Sequence, residues 1–402
     1  LAAAWAGLHL AVVAVGAALG AGPTVAVVAA VLTPVLVDAA LALTVPLERR
    51  LARPYVRSAT RRLEQVRPVV VAITGSYGKT TTKGYVAHLA GATKSVVPTP
   101  ASFNNRAGLA RAVNEHLVPG TDVFVAEMGT YGKGEIAELC SWCRPDVAVI
   151  TSIGPVHLER MGSEEAIAEA KGEILEQAGV AVLNVDHPLL AALADRRAGT
   201  GQKVVRCSAV ARSADVGVVD GEVLVCGRPL GRLSDAEAAP GNVACAVAVA
   251  LELGVAEAVV GERLASLPTA PHRRQVAAGS TGATVIDDTY NANPAGAEAA
   301  LATLARHTAP GGNRVVVTPG MVELGSRQHG ENARFAAAAA ELCTHLVVVG
   351  HTNRNALVEG ARAGTAEVVL VEDREQAVAW VREHVGAGDV VLYENDLPDH
   401  FP

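Results

Sequence analysis

A chain of 402 residues, half of them apolar, can bury a large core and has the length of two or three domains. A formal net charge of −7 with only 3% aromatic residues excludes a nucleic-acid binder, which needs a basic footprint and stacking rings. Six cysteines (Cys140, Cys143, Cys207, Cys226, Cys245 and Cys343) are scattered without a dense framework, which points to a reducing compartment. Cys140 and Cys143 make one C-x-x-C, but no second pair exists to complete a four-cysteine zinc site.

Residues 1–47 hold two apolar runs, AAAWAGLHLAVVAVGAALGAG and PTVAVVAAVLTPVLVDAALALTV, parted by the turn formers Gly20, Gly22 and Pro23. Their length predicts a transmembrane helical hairpin. A signal peptide would carry a basic leading segment and no second run. A buried amphipathic pair is the other reading, since alanine lowers the hydropathy and Asp38 interrupts the second run. Residues 48–68 follow with Arg49, Arg50, Arg53, Arg57, Arg61, Arg62 and Arg67. The positive-inside rule keeps such a cluster in the cytoplasm, on anionic headgroups or as a solvated linker helix. The expectation is a multi-pass protein of the cell membrane with cytoplasmic catalytic domains.

After Pro68 strands and helices alternate. VVVAITG suits a strand of a parallel sheet buried on both faces, and the segment after Gly78 opens a helix. Between them lies GSYGKTTTK, residues 75–83, whose glycines Gly75 and Gly78 have two residues between them, whereas the general P-loop has four. Backbone N–H groups from Ser76 through Tyr77 and Gly78 to Thr80 and Thr81 would face phosphate oxygens, backed by the helix dipole. Lys79 would reach the β- and γ-phosphates and the Thr80 hydroxyl would hold Mg²⁺. Further apolar units, among them DVFVAEMG, DVAVITSIG, GVAVLNVD, NRVVVTPGM and THLVVVG, predict an α/β fold with at least one doubly wound sheet. The stretch RCSAVARSADVGVVDGEVLVCGRPLGRLS has shorter strands suited to antiparallel pairing.

ITGSYGKTTTK resembles the nucleotide loop of the Mur ligases, ATP-dependent enzymes that form amide bonds and use this short loop. TPASFNNRAG, FVAEMGTYGKGEI, RPDVAVITSIGPVHLERMGSEEAIAEAKGEIL, IDDTYNANPAGAEAAL and MVELG are most similar to the MurF branch, which adds D-alanyl-D-alanine to a peptidoglycan precursor. The resemblance implies a central P-loop ATPase domain over 69–271 and a C-terminal Rossmann-like domain over 272–402. It implies that Glu127 binds one Mg²⁺ with Thr80, that His157 helps hold a second, and that Lys171 is carbamylated beside it. Without the resemblance, Lys171 reads as a helix-surface lysine paired with Glu169 or Glu173. Asn104 and Asn105 match a segment near the substrate, though both also suit a turn. Arg273 matches an arginine that crosses to the ATP phosphates, with Arg274 as the alternative. Asp287, Tyr290, Asn291 and Asn293 match a segment that closes on nucleotide and amine, while the Asp pair could instead cap the helix begun at Pro294.

Two departures qualify the resemblance. APGNVACAVA keeps Asn242 but lacks the histidine usual before it, and no counterpart of the family's N-terminal UDP-sugar domain lies between the apolar runs and the loop. The implied reaction joins a small-molecule or cell-wall-precursor carboxylate to an amino acid or dipeptide amine, through an acyl phosphate made from ATP with two Mg²⁺ ions. A polymer synthase of the poly-γ-glutamate type and a non-catalytic ATP-binding regulator at the membrane are the alternatives.

Overall fold

The computed structural model describes residues 14, 18, 22–101, 103–234, 238–268, 274–290, 293–307 and 311–396. The first apolar run therefore lies outside the described residues except for Ala14 and Ala18. The second run is no arm of a hairpin: it continues through the arginine cluster as one helix, α1 (Gly22–Val66). Among the described residues no helix is long and apolar enough to cross a membrane, which overturns the expected transmembrane hairpin and the multi-pass placement built on it. The reason is compositional. Thr33, Pro34, Asp38, Thr44 and Pro46 dilute an alanine-rich run, and arginines follow from Arg49. The C-terminal part of α1 packs on protein instead, burying Ala59 completely, with Val56, Leu63 and Val66 against the same core.

Two sheets follow. The first has nine strands in the order β2-β3-β1-β4-β5-β6-β7-β8-β9. Its central strands are β1 (Val69–Thr74), β3 (Val123–Glu127), β4 (Val147–Ile150) and β5 (Val180–Asn184), with β2 (Val96–Pro98) at the edge. Pairing is parallel from β2 to β7 (Val216–Val219) by way of β6 (Lys203–Ser208); β8 (Glu222–Val225) and β9 (Arg228–Arg232) close the sheet antiparallel. Side chains alternate across β1. Val71 and Ile73 face a core shared with α2 (Lys79–Ala90), whereas Val70 and Ala72 face the core of α1, α3 (Arg106–His116), α4 (Glu135–Trp142), α6 (Glu164–Gly172) and α7 (Pro188–Gly199). The short α5 (Leu158–Met161) lies just ahead of α6. On the α2 side runs α8 (Pro240–Glu252), in which all eight residues from Val243 to Ala250 are buried; a helix apolar all round belongs inside a protein. After α8 comes α9 (Glu257–Arg263).

The second sheet has six strands in the order β10-β11-β15-β12-β13-β14, parallel except for the β10–β11 pair. These are β10 (Gln275–Ala278), β11 (Thr284–Asp288), β12 (Arg314–Thr318), β13 (His345–Val349), β14 (Glu367–Val371) and β15 (Val390–Glu394), with α10 (Pro294–Arg306), α11 (Gln328–Leu342), α12 (Arg354–Ala361) and α13 (Arg374–His384) packed on its faces. The two parts meet closely: a Cβ on Gly325 would lie 3.3 Å from the Glu159 backbone nitrogen.

Candidate functional site

In the order β2-β3-β1-β4 the chain leaves β1 toward one side and later returns on the other, so the β1–α2 loop opens at a topological switch point. The shortened loop is tied to the segment after β4. The Ser76 and Tyr77 backbone nitrogens donate to Ser152, to its carbonyl at 3.0 Å and its hydroxyl at 2.8 Å. The Ser76 and Tyr77 amides of the expected set are therefore engaged within the protein, which leaves the first turn of α2, from Gly78 to Thr81, as the part of that set to face an anion. Gly78 caps this helix with φ 80° and no side-chain cap, and a Cβ there would lie 2.3 Å from Asn242 Oδ1, so only glycine fits. Lys79 Nζ curls over the loop, donating to Gly75 O at 2.7 Å and Ser76 O at 3.3 Å. Tyr77 packs its ring on Gly154, and burial pushes its phenol well above its ordinary value.

At the end of β3, Glu127 pairs in register with Ile73, next to the loop. Its carboxylate is 1% exposed and fully engaged: Oε2 accepts from Thr80 Oγ1 at 3.0 Å and Lys83 Nζ at 2.9 Å, and Oε1 accepts from Asn104 Nδ2 at 3.3 Å. Asn105 instead caps α3, accepting from the Gly108 nitrogen at 2.9 Å. Among the described residues no three His, Cys, Asp or Glu side chains cluster as a preformed metal site. A hydroxyl and a carboxylate 3.0 Å apart beside an anion-binding turn nevertheless fit Mg²⁺, which takes one or two carboxylates and completes its shell with phosphate and water.

His157 stands at φ 63°, a left-handed conformation that non-glycine residues adopt mainly where surrounding structure imposes it. Its Nδ1 lies 2.5 Å from Glu323 Oε2, a contact across the two sheets' domains, and Tyr131 stacks edge-on at 4.7 Å. Burial lowers the His157 pKa, the Lys171 and Lys79 charges push the same way, and Glu323 opposes them. Lys171 is 3% exposed, and the surface pairing that its sequence allows is not formed. Glu169 pairs with Lys133 at 3.3 Å, and Glu173 accepts from the Gly134 and Ala137 nitrogens at 2.7 and 3.0 Å. Burial, reinforced by Lys79, holds the Lys171 amine well below the usual lysine range.

Between the domains lies a cavity of about 270 Å³, lined by Tyr77, Gly78, Thr81 and Asn242 on one side and by Arg274, Asp288 and Asn293 on the other. Asp288, buried, accepts from the Arg274 nitrogen at 3.0 Å; Asp287 is engaged with Thr289 in a local turn at 2.7 Å. Asn293, not the Asp pair, caps α10 by accepting from Gly296 N at 2.8 Å, and Tyr290 is exposed. Arg273 and Asn291 lie outside the described residues. A second cavity of about 760 Å³ opens between Leu158–Gly162 and the segments around Gln328 and Asn353. Sequence reasoning assigned no site role to Lys83, Asp288 or Glu323 individually. Lys83 had a local signal, standing three residues after Thr80 and so on the same helical face. Glu323 lies within MVELG, a segment that carries the resemblance, but nothing in that segment tells that it reaches His157 through tertiary packing. Cys140 and Cys143 are both buried free thiols, with burial raising Cys140 to about 12.

Residues 73–222 match the family described as Mur ligase middle domain, and residues 272–393 match Mur ligase, glutamate ligase domain. The UDP-N-acetylmuramoyl-tripeptide--D-alanyl-D-alanine ligase of Mycobacterium leprae is 36% identical over 370 residues, covering 80% of this chain and 70% of that one. The Bacillus subtilis enzyme of the same name is 28% identical over 361 residues, covering 86% and 75%. Among solved structures, MurF ligase from Thermotoga maritima in complex with ADP aligns with TM-score 0.70 and 28% identity, covering 86% of this chain and 80% of that one. MurF from Acinetobacter baumannii aligns with TM-score 0.71 and 26% identity, covering 85% and 77%.

Proposed function

This chain belongs to the Mur ligase family, ATP-dependent ligases that form carbon–nitrogen bonds, and from that premise we propose that it joins a UDP-muramoyl-peptide carboxylate to the amine of D-alanyl-D-alanine. The observation that carries the reading is the convergence on one cleft of the open first turn of α2, Lys79, and the Thr80–Glu127 pair at 3.0 Å. The first-turn amides and Lys79 orient the phosphates of ATP and offset the charge that develops as a substrate carboxylate oxygen bonds to the γ-phosphorus and ADP leaves with the electron pair of the broken β,γ-bridging bond, giving an acyl phosphate. Mg²⁺ held by Thr80 and Glu127 would neutralise phosphate charge. In this reading the cavity lined by Asn242, Arg274 and Asp288 would receive the nucleotide, and the larger cavity beside Leu158 would admit the amine. The amine nitrogen then bonds to the acyl carbon, phosphate leaves with the carbon–oxygen electron pair, and the nitrogen loses its proton.

Lys171 belongs to this reading as a carbamate. A neutral, buried amine would add to CO₂ and release a proton, becoming a carbamate anion that, with His157, would hold a second Mg²⁺. The lowered pKa supplies the uncharged amine that this addition requires.

The test supplies ATP, Mg²⁺, UDP-muramoyl-tripeptide and D-alanyl-D-alanine and weighs the product by mass spectrometry. One dipeptide added per ADP released is the expected result. ATP turnover without amide, or a ladder of repeated additions, refutes the assignment. Lys171→Ala should lose most turnover and regain part of it with a short carboxylic acid in solution; near-normal activity in CO₂-depleted buffer would remove the carbamate from the reading.

A further inference from the structure

Glu127 Oε2 accepts from two groups at once, the Thr80 hydroxyl and the Lys83 ammonium, at 3.0 and 2.9 Å. Lys83 is itself buried, 5% exposed, so this pair lies out of reach of screening water and salt. Its Nζ has a second acceptor, the Ala101 carbonyl at 2.6 Å. Ala101 stands at φ 40°, a left-handed backbone that an alanine adopts only where neighbours impose it, and that turn presents its carbonyl to Lys83. The ammonium thus has a place to stay if it gives up the carboxylate.

We propose that Lys83 is a positioning residue that acts as a resident counter-cation for Glu127, excluding divalent metal from the carboxylate until nucleotide phosphates arrive. A buried carboxylate without a partner is costly, so Lys83 stabilises the empty site. A divalent ion taking the same oxygen meets that ammonium at close range, and the like charges repel. Phosphate oxygens brought by the nucleotide supply the negative charge that lets both cations remain, with Lys83 held by the Ala101 carbonyl. Metal and nucleotide then bind as one unit.

The inference rests on Glu127 being a metal carboxylate, and its test does not depend on the peptide substrates. Mn²⁺, a paramagnetic stand-in for Mg²⁺, is titrated onto the nucleotide-free full chain. Lys83→Met should bind Mn²⁺ at least tenfold more tightly than wild type, the opposite of what loss of a merely structural lysine would do. Lys83→Arg, which keeps the charge, should stay as weak as wild type. Adding Glu127→Gln to Lys83→Met should abolish the gain. No tightening in the methionine variant, equal tightening in the arginine variant, or a gain that survives Glu127→Gln each overturns the proposal. Should Lys83→Met fail to fold, wild type is compared with Glu127→Gln: millimolar Mn²⁺ without nucleotide should shift the melting temperatures of both alike, and a rise in wild type that Glu127→Gln lacks refutes the exclusion.

Discussion

Replacing Glu394 with glutamine should make the protein more stable, and more so as the pH rises. Glu394 ends β15 opposite Asp288, is fully buried, and accepts from Thr318 Oγ1 at 2.7 Å. Its Oε1 has no partner among the described residues. Burial pushes its pKa from 4.5 up to about 8, Asp288 pushes the same way, and the Thr318 hydroxyl pulls against them. At neutral pH the folded chain therefore keeps this carboxyl protonated while the unfolded chain ionises it. The folded state binds the extra proton, so stability is full below the ordinary carboxyl pKa, falls as pH rises toward about 8, and levels off beyond. Each pH step within that window removes about 1.4 kcal/mol, so the whole loss reaches up to roughly 5 kcal/mol. Glutamine is neutral throughout and still offers Thr318 an acceptor. Urea denaturation followed by circular dichroism, run on both proteins from pH 5 to pH 9, isolates this group because the others cancel in the difference. The two should be nearly equal at pH 5 and differ by a few kcal/mol at pH 9. Parallel profiles would refute the argument.

Lys79→Ala should lower ATP-dependent turnover by about a hundredfold or more, as removal of one transition-state donor does. Its melting temperature should stay close to wild type, because the side chain touches loop carbonyls rather than core. Gly78→Ala places a methyl 2.3 Å from Asn242 Oδ1 at φ 80°, so it should cost about 1–3 kcal/mol in denaturant titrations and weaken ADP binding measured by calorimetry. Removing residues 1–50 should leave nucleotide turnover and melting temperature intact. Removing residues through 66 should lower the melting temperature by several degrees, since it uncovers the core around Ala59 and deletes the bond from Arg62 Nε to Leu117 O at 2.7 Å.

The phosphate loop was legible because its chemistry is local: a strand, two glycines, a lysine and a threonine in a row. Parallel strands were legible as apolar runs, down to the antiparallel ending in β7, β8 and β9. Residue 22 onward was misread because length and apolar content alone do not separate a membrane helix from an alanine-rich helix packed on protein. The cavity-facing aspartate is Asp288 while Asp287 closes a turn, and one position in a strand decides which face a side chain takes. MVELG stood out as a segment, but the contact of its Glu323 with His157 did not, because that partner lies 166 residues away.

The second sheet has its last strand in the middle. β15 pairs with β11 on one side and β12 on the other, although Thr318 and Glu394 lie 76 positions apart. Until the ribosome has delivered that strand, β10 and β11 have no connection by hydrogen bonds to β12, β13 and β14, and β11 and β12 each expose an edge that β15 will later fill. This part of the molecule cannot condense in the order in which it is made. It must wait for its own ending, which makes it slow to form, dependent on long-range pairing, and the portion most in need of protection from aggregation during synthesis.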